Sequence, residues 1–171
     1  MNFKIRLLCG LIASLCPFLA QADKFQPHEV VAVYIYQISN FVFWNEEPSK
    51  THIYFCVQDD DKVKQTLAKV IEGKTIRDLT LAVVNSSNQP CDIIYYGKPL
   101  TSERVRNVSG YAVTISSQSH FLRDGGIIAL QENEGRIKPL ICSQNLVSER
   151  YTIGSSLLRL ASVKEAALCL H

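Results

Sequence analysis

The sequence contains no spacing that encodes a local zinc site: its four histidines, His28, His52, His120 and His171, lie far apart and in neither HExxH nor H-x-H order. No two cysteines stand at C-x-x-C spacing, which removes the common zinc and redox signatures. Gly125-Gly126 lacks the third glycine and following helix of a dinucleotide loop, so the pair reads as a structural turn into a strand. Ser155-Ser156 lacks the G-x-S-x-G elbow that exposes a nucleophile. The run Asp59-Asp60-Asp61 precedes a helical pattern, where consecutive carboxylates serve as an N-cap and first turn more readily than as a metal cluster. Nothing in these patterns supports an enzyme, a metal or a cofactor.

An excess of charge is missing too. The chain carries 18 basic and 16 acidic residues. Lys4 and Arg6 are the only charged residues among the first 22, so the remainder is balanced at 16 of each sign. A neutral chain without a basic stripe argues against nucleic acid as a partner. There is one long apolar run, from Leu7 to Leu19, which follows Lys4 and Arg6 and is succeeded by Ala20-Gln21-Ala22. It is shorter than the about 20 residues a spanning helix needs. The segment 1–22 reads as a secretory signal peptide cleaved after Ala22. Residues 23–171 are enough for one domain that buries about two-thirds of its unfolded surface. Internal repeats, low-complexity tracts and interdomain linkers are absent.

What is present is an alternation of elements. From His28 to Trp44, apolar residues recur at helical spacing through Val31, Ile35, Ile38 and Val42. A strand from His52 to Val57, a helix from Asp60 to Ile71 closed by Gly73, and strands Leu79–Val84 and Asp92–Tyr96 follow. A helix Ser102–Val108 and a strand Tyr111–Ile115 come next, with Asn88-Gln89-Pro90 breaking the chain between strands. The strands Gly126–Leu130 and Arg136–Ile141, joined by Glu134-Gly135, should pair as a hairpin. An amphipathic helix carrying Leu157, Leu158, Leu160 and Ala161 ends the pattern. This predicts a single-domain α/β fold, a largely parallel sheet flanked by helices, with an antiparallel edge hairpin and a C-terminal helix.

Removal of the leader leaves Cys56, Cys91, Cys142 and Cys169, an even number in an exported chain, for which disulfides are the default. Cys56 ends one predicted strand and Cys91 begins another, so a bridge between them ties two core elements if those strands are neighbours; buried free thiols are the alternative. Cys142 and Cys169 flank the C-terminal helix, whose length would hold its ends roughly 20 Å apart. Only a chain reversal after about Val163 would let them pair, and the choice stays open. Candidate contact residues are Trp44 and Phe41, with core packing the competing role for the lone tryptophan, and Arg159, an isolated cation among leucines that either snorkels or meets an anion. A crevice at the carboxyl ends of the strands would gather Tyr95, Tyr96, Ser116, Ser117 and His120.

The segment from Phe121 to Ala161, with its Gly-Gly strand, hairpin and SS-x-LL-x-LA-like helix, resembles the closing segment of the YfiR/HmsC-like family. Phe41 and Trp44 match that family's aromatic helix end, although Asn45 replaces its proline. Cys142 stands where the family tends to have asparagine, and Pro139 where an aromatic is usual. The resemblance runs from about His28 to Ala161 and supports the Cys56–Cys91 pair. It implies a periplasmic protein, a homodimer in at least some states, that represses an inner-membrane diguanylate cyclase by binding the cyclase's periplasmic sensor region. Cyclic-di-GMP and biofilm formation would fall as a result. Release through sequestration by an OmpA-like outer-membrane lipoprotein is implied as well, and the bridges would make such a regulator redox-responsive. The alternative is a periplasmic small-ligand binding module.

Overall fold

The computed structural model describes residues 25–85, 90–133, 136–164 and 169, and only the backbone of residues 133 and 164. The expected signal peptide, the Glu134-Gly135 turn and the Asn88-Gln89 break lie outside the described residues.

The first helix, α1 (Pro27–Ser39), starts with proline in its first turn. The Glu29 carboxylate accepts the Gln26 N–H at 2.7 Å, which satisfies one of the orphan donors of the helix start. Val31, Ala32, Ile35 and Ile38 form its buried face. The helix stops earlier than its periodicity predicted. Phe41 N–H bonds the Ile38 carbonyl at 2.9 Å, and Val42–Trp44 is a strand, β1, with Phe43 turned outward between two buried neighbours. Over so few residues the apolar spacings of helix and strand overlap, and the tertiary pairing of β1 decides between them.

The order continues with β2 (His52–Gln58), α2 (Asp61–Ile71), β3 (Thr75–Ile76), β4 (Leu79–Val83), β5 (Ile93–Tyr96), α3 (Ser102–Ser109) and β6 (Val113–Ser116). It closes with β7 (Ile128–Asn133), β8 (Arg136–Cys142), β9 (Tyr151–Ile153), α4 (Ser155–Leu160) and β10 (Ser162–Lys164). Asp60 caps α2 by accepting the Val63 N–H at 3.0 Å. Gly73 follows the helix at φ 66°, the left-handed position glycine favours.

Eight strands form one sheet in the order β10-β8-β7-β6-β5-β2-β4-β3. It is parallel except for the β7/β8 hairpin and the β3/β4 hairpin. The β7/β8 hairpin lies at one end of the sheet, with the three-residue β10 added outside it in parallel register. β1 and β9 pair separately as an antiparallel ribbon, Trp44 opposite Tyr151. Successive residues of β2 and β5 point to opposite faces. Phe55 and Ile93 pack with α1 and α2, while Cys56, Ile94 and Tyr96 pack with Val105 of α3 and Phe121.

The structure joins Cys56 to Cys91, with Cα atoms 5.8 Å apart. It also joins Cys142 to Cys169, at the same Cα separation. The second pairing follows from the brevity of α4, which has six residues. β10 then runs back beside β8 and brings Lys164 level with Cys142.

Candidate interaction groove

The first helix and two elements of the closing segment enclose an apolar groove of about 360 Å³. α1 supplies Tyr34, Gln37 and Ile38, and the turn after it supplies Phe41; β8 supplies Ile137, Lys138 and Pro139; α4 supplies Leu157 and Leu160. Two long-range hydrogen bonds set the walls. The Tyr34 hydroxyl donates to the Ile137 carbonyl at 2.6 Å, tying α1 to β8. The Gly154 N–H donates to the Phe41 carbonyl at 2.7 Å, so α4 begins at the end of α1.

The β8 wall is a stretch of partly open strand edge. β10 pairs with β8 only at Leu140, Ile141 and Cys142. Pro139 has no N–H to offer along this edge, and the Ile137 carbonyl is taken by Tyr34. Both devices protect an edge from indiscriminate strand pairing. The α4 wall splits its leucines: Leu157 is buried, while Leu160 is 68% exposed. Lys138 is the charged member of the lining. Arg159 lies on the same helix, exposed, with its guanidinium donating to the Ser155 and Ser156 hydroxyls at 3.2 and 3.0 Å. A groove of this kind offers apolar contact with a single cation, Lys138, at its rim.

Of the residues singled out from sequence, Phe41 lines the groove and Arg159 stands on one wall. Trp44 is not in the lining; it is 6% exposed and packed in the core. Its indole Nε1 has no hydrogen-bond partner among the described residues. His120 lies elsewhere, in a pocket of about 90 Å³ shared with Phe121 and Asp124, where its ring meets the Arg123 guanidinium. The polar groups of the expected crevice are largely engaged internally. Tyr95 and Ser117 hydroxyls meet at 3.2 Å, and the Ser116 hydroxyl donates to the Tyr96 carbonyl at 2.7 Å. Burial pushes the Tyr95 phenol up from its ordinary value and the Tyr96 phenol up to about 12, so both stay protonated at neutral pH.

Gly125 has φ 99°. Gly126 is held to glycine by contact, since a Cβ there would stand 2.3 Å from the Phe121 ring. Among the described residues no group of three His, Cys, Asp or Glu could hold a metal, and no helix is long and apolar enough to cross a membrane. Sequence reasoning missed Tyr34, Ile137, Lys138 and Pro139 as groove residues. The available signal was Pro139 itself, a proline inside a predicted strand, which marks an edge.

No curated protein matches the chain. The family described as YfiR/HmsC-like matches residues 28–162, from the first turn of α1 to the start of β10. A match over most of the chain places it in a family known for regulating cyclic-di-GMP signalling, and the protein belongs to the YfiR/HmsC-like family.

Proposed function

We propose that this protein is a periplasmic repressor that uses the groove between α1, β8 and α4 to hold the periplasmic sensor region of an inner-membrane diguanylate cyclase in its inactive state. The observation that carries the reading is the groove itself, an apolar cleft rimmed by Lys138 and bordered by the exposed Leu160. Such a surface suits an apolar partner segment flanked by acidic residues. Repression requires only that the groove bind the inactive state more tightly than the active one. Capture by an OmpA-like outer-membrane lipoprotein would relieve repression by competing for the free protein. Homodimer formation is a separate part of the proposal, checked by light scattering.

The test is cellular cyclic-di-GMP in a strain lacking the protein, complemented by the exported parent or by Leu160→Asp. Burying a leucine contributes about 1.5–3 kcal/mol, so its replacement by a charge should weaken capture by at least about tenfold. Deletion should raise cyclic-di-GMP, the exported parent should lower it, and Leu160→Asp should fail to do so while accumulating normally. No rise on deletion, with a candidate cyclase present, would refute the regulator reading. Full repression by Leu160→Asp would remove the groove from it. The second reading, a small-ligand module, is favoured by the groove's volume, which falls within the range of ligand pockets; a ligand that fills it would shift the resonances of Tyr34 and Leu157.

A further inference from the structure

The turn that joins β3 to β4 is strained in a way its side chains explain. Arg77 and Asp78 both occupy the left-handed region, at φ 47° and 69°. Two-residue hairpin turns of this hand favour Asn-Gly, because other L residues pay a steric cost there. Strain of this sort is retained where something else depends on the conformation.

Here the dependent feature is the reach of the Arg77 side chain. Its Nε donates to the Glu47 carboxylate at 2.5 Å, and Nη2 donates to the other carboxylate oxygen at 3.1 Å. Nη2 also donates to the Val42 carbonyl at 2.6 Å, and Nη1 donates to the Asn40 carbonyl at 3.3 Å. The guanidinium carbon lies 4.5 Å from the centre of the Phe43 ring. One side chain therefore grips the end of α1, the strand β1 and the turn beyond it.

The grip continues into the groove. The Phe43 ring lies against Gly154, where an added Cβ would stand 3.0 Å from Cε2. Gly154 is the residue whose N–H meets the Phe41 carbonyl and from which α4 starts. We propose that Arg77 is a positioning residue for the groove: from an edge hairpin of the sheet it fixes β1, and through Phe43 and Gly154 it sets where α4 places Leu157 and Leu160 against Phe41. A lysine could not reproduce this, since one ammonium cannot span a carboxylate and two carbonyls in a plane. The functional consequence rests on the groove reading above; the positioning is a property of the protein alone.

The experiment compares the parent with Arg77→Lys and with the double variant Arg77→Asn/Asp78→Gly, which gives the turn the residues it prefers while removing the guanidinium. Amide exchange is read at Asn45, Gly154 and Leu157, alongside emission from Trp44, the single tryptophan. Both variants should exchange faster at these amides by about tenfold or more and should shift the Trp44 emission. The thermal midpoint of the double variant should stay within about 3 °C of the parent, because the turn strain is relieved. Unchanged exchange at Gly154 in both variants would overturn the proposal. So would acceleration spread evenly over the whole chain, since that reports lost global stability. Repression by these variants should weaken together with the local exchange, and full repression from a loosened groove, where Leu160→Asp abolishes it, would overturn the link to function. If Leu160→Asp represses normally, the groove reading fails and the exchange result still decides the positioning.

Discussion

Replacing Cys56 and Cys91 together with alanine should lower stability chiefly through the unfolded chain. The two cysteines are 35 residues apart in sequence. Closing a loop of that length removes entropy from the unfolded ensemble equivalent to about 4 kcal/mol. In the native state the bridge adds little order, because β2 and β5 are already hydrogen-bonded neighbours, with Phe55 opposite Ile93 and Cys56 opposite Ile94. A domain of this size unfolds with an entropy of about 0.3 kcal/mol/K, so the thermal midpoint should fall by about 10 to 15 °C. The assay is thermal unfolding by circular dichroism in non-oxidising buffer, with the Cys142–Cys169 bridge kept intact and checked by mass. The near-ultraviolet spectrum of the folded variant should match the parent's. A fall of less than about 3 °C would refute the entropic argument. A large fall accompanied by an altered native spectrum would show instead that the two sulfurs hold the packing around Ile94, Tyr96 and Phe121.

Two further outcomes follow from local geometry. Gly126→Ala forces its new methyl into the Phe121 ring, within 2.3 to 2.6 Å of three ring atoms; Phe121 is buried against Tyr96 and has little room to move. The loss should be about 1–3 kcal/mol, measured by chemical denaturation, and Phe121→Leu in the same chain should recover part of it; no loss would refute the contact. The Glu47 carboxyl is held below its ordinary range first by the hydrogen bond from Arg77, with burial opposing and the Arg77 charge adding to it. A depressed carboxyl contributes stability above its unfolded pKa and loses that contribution as pH falls through its folded pKa. Trp44 emission should therefore hold steady from neutral pH to about 4.5 and change below that. Arg77→Lys should move the change to higher pH, and coincident titrations in the two proteins would refute the role of the guanidinium fork.

Apart from the two-residue β3, which was not foreseen, the alternation of strands and helices from His52 to Ser116 was legible because its elements are bounded by local chemistry: the Asp60 cap, the left-handed Gly73, and the apolar run Ile93 to Tyr96. The parts that were not legible are those whose conformation is decided elsewhere in the chain. β1 and β9 are three residues each and exist by pairing with one another across about a hundred residues of sequence. β10 is also three residues long, and its parallel pairing beside β8 brings the chain level with Cys142, which is bonded to Cys169. The Arg77 side chain gave no local signal, since its partners, Asn40, Val42 and Glu47, lie 30 to 37 residues away in sequence.

The groove was hidden for a related reason. Its apolar residues carry the same helical spacing as core residues, and in sequence a leucine facing a cleft cannot be told from one facing a sheet. Leu157 and Leu160 look equivalent on the helical pattern, yet one is buried and the other exposed. The difference arises within a helix of six residues: Gly154 docks on Phe41 and Phe43 and Leu157 and Leu158 pack against the core, while Leu160 projects to solvent. Leu160, on the last turn of the helix, therefore stands exposed at the edge of the groove. The alignment of α4 then depends on how firmly β1 is held, so substitutions at Phe43 or Gly154, neither of which lines the cleft, should alter binding there as much as changes to the lining itself.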